Sequence, residues 1–148
     1  MSRMGAVLDN WLFWALLSGV FASLTAIFAK IGIANIDSDF ATLIRTVVIL
    51  VVLAGIVLAM GKAQPLETIS GKTWLFLVLS GLATGASWLA YFRALKLGHA
   101  SQVAPVDKLS VVLVAIFGVM FLGEKLTLQG WVGVSLVAAG AVTLAIKL

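Results

Sequence analysis

Polar residues in this chain fall in short clusters, and between the clusters lie long, almost unbroken apolar runs. Five runs stand out, over residues 11–33, 41–60, 73–97, 105–122 and 130–146. Each approaches the roughly 20 residues an α-helix needs to cross a hydrocarbon core of about 30 Å. The runs are apolar on all sides, whereas strands of a membrane barrel alternate apolar and polar positions. Inside lipid a helix satisfies its own backbone hydrogen bonds. The pattern therefore predicts an all-α membrane protein with five transmembrane helices. All 148 residues form one such domain, with no stretch left for a soluble one.

The clusters carry the punctuation of helix ends. Asp9 and Asn10 are placed to cap the first helix, and Asp37, Ser38 and Asp39 to cap the second. Pro65 breaks the connection after Gly61, Ser101 or the residues around Pro105 open the fourth helix, and Gly123 stops it. The first apolar run is longer than the usual 7 to 15 residues of a signal-peptide core, and no small-residue cleavage site closes it before Lys30. It reads as a retained span.

Composition agrees with a lipid environment. Hydrophobic residues make up 62% of the chain and charged ones 11%, against about a quarter charged in a soluble domain. The net charge of +4 comes from basic residues scattered singly at the ends of apolar runs. That suits headgroup anchoring and argues against a nucleic-acid partner. Cysteine is absent and histidine occurs once, so no disulfide, catalytic metal site or cofactor is expected. No nucleophile and base stand at a catalytic spacing, which argues against an enzyme.

Orientation follows the balance of lysine and arginine. Arg3, Lys62, Lys72 and Lys125 lie on the N-terminal side, and Lys30, Arg45, Arg93, Lys96, Lys108 and Lys147 on the other. Discounting Lys30, Arg45 and Lys108 as residues within helix ends nearly removes the bias. The expectation is dual topology and an antiparallel homodimer, which reproduces the inverted repeats of larger transporters.

Ionisable groups at membrane depth mark candidate sites. Lys30, Asp37, Asp39, Arg45, Tyr91, Arg93, Asp107 and Lys108 fall at one end of the bundle. Asp107 and Lys108 are adjacent, and successive helical side chains point about 100° apart, so each is expected to find its partner on another helix, Lys30 or Arg45 for Asp107. The alternative is that Asp107 caps a first turn while Lys108 and Arg45 reach for headgroups. On the third helix Ser80, Thr84, Ser87 and Tyr91 recur at spacings of four, three and four. They form a stripe suited either to a polar pathway or to hydrogen bonds with a neighbouring helix. Trp88, at its edge and mid-helix, is a candidate cavity wall or cation platform. Trp11, Trp14, Trp74 and Trp131, near helix ends, read as interface residues.

Gly81 and Gly85 form a GxxxG pair, and the fifth helix is rich in small residues from Gly130 to Ala141. Both surfaces suit close packing, within one subunit or across a dimer seam. His99 reads as a loop residue and Glu124 as an anchor for the turn after the fourth helix.

The stretch from Tyr91 to Ala145 resembles the C-terminal half of the EamA domain of the drug/metabolite transporter superfamily. The resemblance is carried by Ala94-Leu95, the Ala100-Ser101 loop, Leu122-Gly123-Glu124 and the glycine-rich fifth helix. Lys30 and Arg45 fit the front half, where the family often has basic residues, and the likeness spans essentially the whole chain. Two points depart from it. Many members have proline where this chain reads Leu109, Ser110 and Val111, and the first helix lacks the embedded glutamate of the four-helix multidrug members.

Most members carry two inverted repeats, ten helices in all, and this chain holds one. The resemblance therefore implies a homodimeric exporter or exchanger of a small polar metabolite or drug-like solute in the inner membrane of a prokaryote. Membrane lipid is its other expected partner. The residues expected to bind solute or couple its movement are Asp107, Lys108, Lys30, Arg45, Trp88, Tyr91, Ser87 and Thr84. A non-transporting scaffold or accessory subunit and a lipid-carrier flippase are the alternatives.

Overall fold

The computed structural model describes residues 10–146 and, among them, contains helices and no strands. Asp9, Arg3 and Lys147, assigned above to capping and charge balance, lie outside the described residues. The helices are α1 (Trp11–Gly32), α2 (Ser38–Ala59), α3 (Gly71–Leu97), α4 (Ala100–Asp107), α5 (Ser110–Phe121) and α6 (Leu128–Ala145). A single 3₁₀ turn, Leu66–Thr68, follows Pro65. With α4 and α5 taken together as one span over Ala100–Phe121, five segments are long and apolar enough to cross a membrane. The chain is a multi-pass membrane protein.

Local chemistry sets the helix ends. Asn10 starts α1 by accepting the Leu12 N–H at 2.9 Å. The Asp37 side chain accepts from the N–H groups of Asp39 and Phe40 at 2.9 and 3.0 Å and so caps α2. Those two bonds, that of Phe40 first, hold the exposed Asp37 carboxyl below its ordinary 3.8. Ser70 opens α3 by accepting from Thr73 N–H, and Thr127 opens α6 by accepting from Gly130 N–H. At the end of α2, Gly61 adopts φ 62° while its N–H reaches Leu58 O and that of Lys62 reaches Val57 O. This is the Schellman closure, whose left-handed position favours glycine.

The fourth span differs from the expected uninterrupted helix. Helical geometry begins at Ala100, with Pro105 inside α4. The N–H groups of Lys108, Leu109, Val111 and Val112 donate to carbonyls three residues back. The chain thus tightens from α to 3₁₀ spacing between α4 and α5, a local change that hydropathy does not register.

The chain divides into two compact units, one holding the residues up to Ile31 and those from Gly98 onward, the other Gly32–Leu97. In the first, α6 packs against α4 and α5, and Ala141 and Gly118 are buried. In the second, α2 packs against α3, and Ile33, Ser38, Ala41, Thr42, Phe92 and Leu95 are buried. Large apolar side chains elsewhere are exposed, as in Leu128 at 82% and Leu136 at 68%. In water that surface would cost about 25 cal/mol per Å². In lipid it costs little, so the contacts within each unit rest on packing and polar bonds.

Candidate functional site

Within the second unit α2 and α3 leave an open cleft of about 540 Å³. Asp39, Thr42 and Thr46 line it from α2, and Ser80, Thr84 and Trp88 from α3. Gly81 and Gly85 form part of its wall, and a Cβ built on either would meet no atom within 4 Å. Within this unit no helix packs onto the GxxxG pair, which borders the cleft.

The hydroxyls of the cleft are tied to their own helices. Thr42 donates to Ser38 O at 2.8 Å, Thr46 to Thr42 O at 2.7 Å and Thr84 to Ser80 O at 2.9 Å. At one end Arg93 Nη2 meets Asp39 Oδ2 at 2.6 Å, in an ion pair whose side chains are 65% and 44% exposed.

Trp88 serves a cation, and the cation belongs to the protein. The Arg45 guanidinium carbon lies 4.4 Å from the centroid of the Trp88 ring and 4.7 Å from that of Phe92. Its Nη1 is buried with no hydrogen-bond partner among the described residues. Two aromatic faces thus shelter a guanidinium that forms no ion pair among the described residues. Ser87 and Tyr91, expected on the same wall, are not part of the cleft lining. Ser87 is one residue from Trp88, a turn of about 100° around the helix, and the Tyr91 ring packs edge-on against Phe92 at 6.3 Å.

The α2 half of the cleft is only partly legible in the sequence, where Asp39 stands out as a cap and as one of the charges at the end of the bundle, and Thr42 and Thr46 do not stand out at all. Their spacing of three and four residues carried the signal, since it puts all three on one face. Below the cleft, Lys96 Nζ donates to the carbonyls of Ile33, Ala34 and Ile36 at 2.8, 3.4 and 2.5 Å. This ties the end of α3 to the turn before α2.

The remaining expected residues belong to the first unit. Asp107 Oδ2 pairs with Lys108 Nζ at 3.2 Å, with side chains 36% and 56% exposed. This corrects the expectation that the two neighbours do not pair. Asp107 ends α4 and Lys108 is its C-cap, so the angular rule for helix interiors does not hold across the junction, and the long lysine folds back. Lys30, proposed as a partner for Asp107, donates to Gly98 O at 2.7 Å.

Glu124 is an anchor in fact. Gly123 turns the chain at φ 68°, Glu124 N–H donates to Gly118 O at 3.1 Å, and the carboxylate lies over Gly118, where a Cβ would stand 2.7 Å from Oε2. Among the described residues no group of histidine, aspartate and glutamate is arranged to hold a metal ion.

Residues 9–146 match the EamA-like transporter family. Over 138 residues, 93% of this chain and 98% of the relative, the sequence is 70% identical to an uncharacterised transporter in the cobO 3′ region of a Sinorhizobium species. Over 78 residues, 53% of this chain and 70% of the relative, it is 30% identical to a probable 4-amino-4-deoxy-L-arabinose-phosphoundecaprenol flippase subunit ArnE of Hamiltonella defensa. No solved structure matches.

Proposed function

Because the chain belongs to the EamA-like transporter family of the drug/metabolite transporter superfamily, we propose that it moves a small polar solute across the inner membrane of a prokaryote, working as a homodimer by alternating access. The observation that carries this reading is the α2–α3 cleft, a polar-striped space of about 540 Å³ bounded by glycines with open room beside them. A cavity of that size suits a metabolite. Thr84 and Trp88 form its wall, Arg45 supports Trp88 from beside it, and Ser87 and Tyr91 extend the polar face of α3. Asp107 and Lys108, with Lys30 in the same unit, are assigned to coupling, because their ion pair sits where the fourth span changes helical spacing. A change of spacing within a span is a natural hinge. No side chain is given a catalytic role.

Pairing of two copies rests on the single repeat and on the near balance of basic residues between the two ends, which favours an antiparallel arrangement. A second reading, a lipid-carrier flippase subunit, draws on the 30% identity to the ArnE subunit and differs in taking a lipid-linked headgroup as cargo.

A metabolite screen by thermal shift on the purified protein names candidate solutes, since a ligand that binds the native state stabilises it. Uptake of each hit into proteoliposomes then tests the reading. Gly85→Leu, which fills the cleft, is expected to lose both stabilisation and uptake, and Asp107→Asn and Lys108→Gln to lose uptake while folding. Unchanged uptake in Gly85→Leu would overturn the cleft as the solute site, and unchanged uptake in the other two would remove the coupling pair.

A further inference from the structure

Leu43, Leu77 and Leu89 make much of the cleft wall apolar, and among its few polar groups acceptors outnumber donors. Asp39, Thr42 and Thr46 share one face of α2 over about 10 Å of its axis. Thr42, Thr46 and Thr84 have each given their hydroxyl proton to a backbone carbonyl of their own helix. A hydroxyl has one proton and two lone pairs, so each offers a solute only an acceptor. The Asp39 carboxylate adds further acceptors, against which the lining sets only the Ser80 hydroxyl and the Trp88 indole N–H as donors, and no cationic side chain.

The positive charge beside this carboxylate is borrowed from outside the lining. Arg93 reaches Asp39 Oδ2 at 2.6 Å, yet both side chains stand largely in the open. Exposed pairs of this kind contribute little to stability, so a competing cation can exchange with them. A second donor on Asp39 is weak, the Ser38 hydroxyl at 3.3 Å from Oδ1. A cation entering the cleft therefore finds a carboxylate held by a loose, tethered surrogate, and beyond it hydroxyl lone pairs.

We propose that the α2–α3 cleft binds its solute through an ammonium or guanidinium group, which takes the place of Arg93 on Asp39. This inference rests on the cleft being the solute site. It adds the chemical class of the cargo and a role for Arg93 as a built-in competitor. Displaced, Arg93 loses its partner at the mouth of the cleft, so occupancy is reported there by a freed charge.

The test uses the full-length chain with Trp88 as its sole tryptophan, the other four of its five replaced by phenylalanine. Ethylamine, ethanol and acetate are titrated against Trp88 fluorescence in phosphatidylcholine nanodiscs. Ethylamine is expected to give a saturable shift, and ethanol and acetate none. Asp39→Asn should weaken ethylamine binding at least about tenfold, because a charge-assisted contact is lost. Asp39→Glu should restore it, which separates loss of charge from loss of fold. Arg93→Gln should tighten binding by about threefold, the gain expected when a weak internal competitor is removed.

Phosphatidylethanolamine bears the same ammonium. A shift present in that lipid before any amine is added, and abolished by Asp39→Asn, would identify a headgroup as the bound amine. An ethylamine response equal in both lipids would identify a free solute. Equal responses to acetate or ethanol, an unchanged response in Asp39→Asn, or weaker binding in Arg93→Gln would overturn the proposal. Ethylamine binding without uptake of any solute would leave the amine site and remove the transport reading. Uptake of an uncharged solute that Gly85→Leu blocks and Asp39→Asn does not affect would do the reverse.

Discussion

Single residues act here mainly through the backbone groups they satisfy. Asp37 accepts two N–H groups at the head of α2, and its carboxyl is held below 3.8. A carboxyl whose folded value is depressed contributes stability above its unfolded value and loses it as pH falls through the folded one. Thermal unfolding of the detergent-solubilised protein is therefore expected to show a melting temperature that falls below pH 3.8. Asp37→Asn should keep the cap and flatten that part of the pH profile, while Asp37→Ala should lower the melting temperature at neutral pH as well. Gly123, at φ 68°, makes a different demand. Gly123→Ala should destabilise by about 1–2 kcal/mol, the cost of a left-handed conformation for an L side chain, and Gly123→Asn by less. Gly81 and Gly85 reverse the sign. With open space at each Cβ, alanine there should stabilise α3 by up to about 1 kcal/mol while narrowing the cleft, so the melting temperature rises as uptake falls.

At the scale of elements, the five spans were legible because apolar runs of that length have few other fates, and caps such as Asp37 and stops such as Gly123 mark their ends directly. The division of the fourth span into α4 and α5 was not. Hydropathy sees side chains, and what changes across Lys108–Val112 is the backbone hydrogen-bond spacing. The poorer geometry of 3₁₀ bonds predicts faster amide hydrogen exchange at Lys108, Leu109, Val111 and Val112 than at residues 114–120 of α5, measured by mass spectrometry in nanodiscs. Uniform protection along the span would contradict a hinge. Half of the cleft was legible for a related reason. Ser80 and Thr84 stand out by their spacing on α3 and Trp88 by its place mid-helix, whereas Thr42 and Thr46 are hidden in α2, the most hydrophobic of the five spans. Arg45 stood out as a partner for Asp107 because a charge at depth asks for an ionic partner. Its two aromatic neighbours met that demand in a way that spacing within one helix does not reveal.

For the whole molecule, the proposal of an antiparallel pair makes a direct prediction about accessibility. Cysteines placed at Lys62 and at Leu97, the latter 84% exposed, should each be labelled by an impermeant maleimide from both sides of the membrane if copies insert in both directions. Leu97 is preferable to Lys96, whose amine holds three carbonyls. Labelling of one position from outside only would exclude dual topology.

The glycine wall of the cleft has one more consequence. Since the chain contains no cysteine and a side chain at position 81 or 85 displaces nothing, a single thiol can be installed there without first stripping the protein of reactive groups. The rate at which a small thiol reagent modifies that cysteine would then report occupancy of the proposed pathway, because a bound solute shields it.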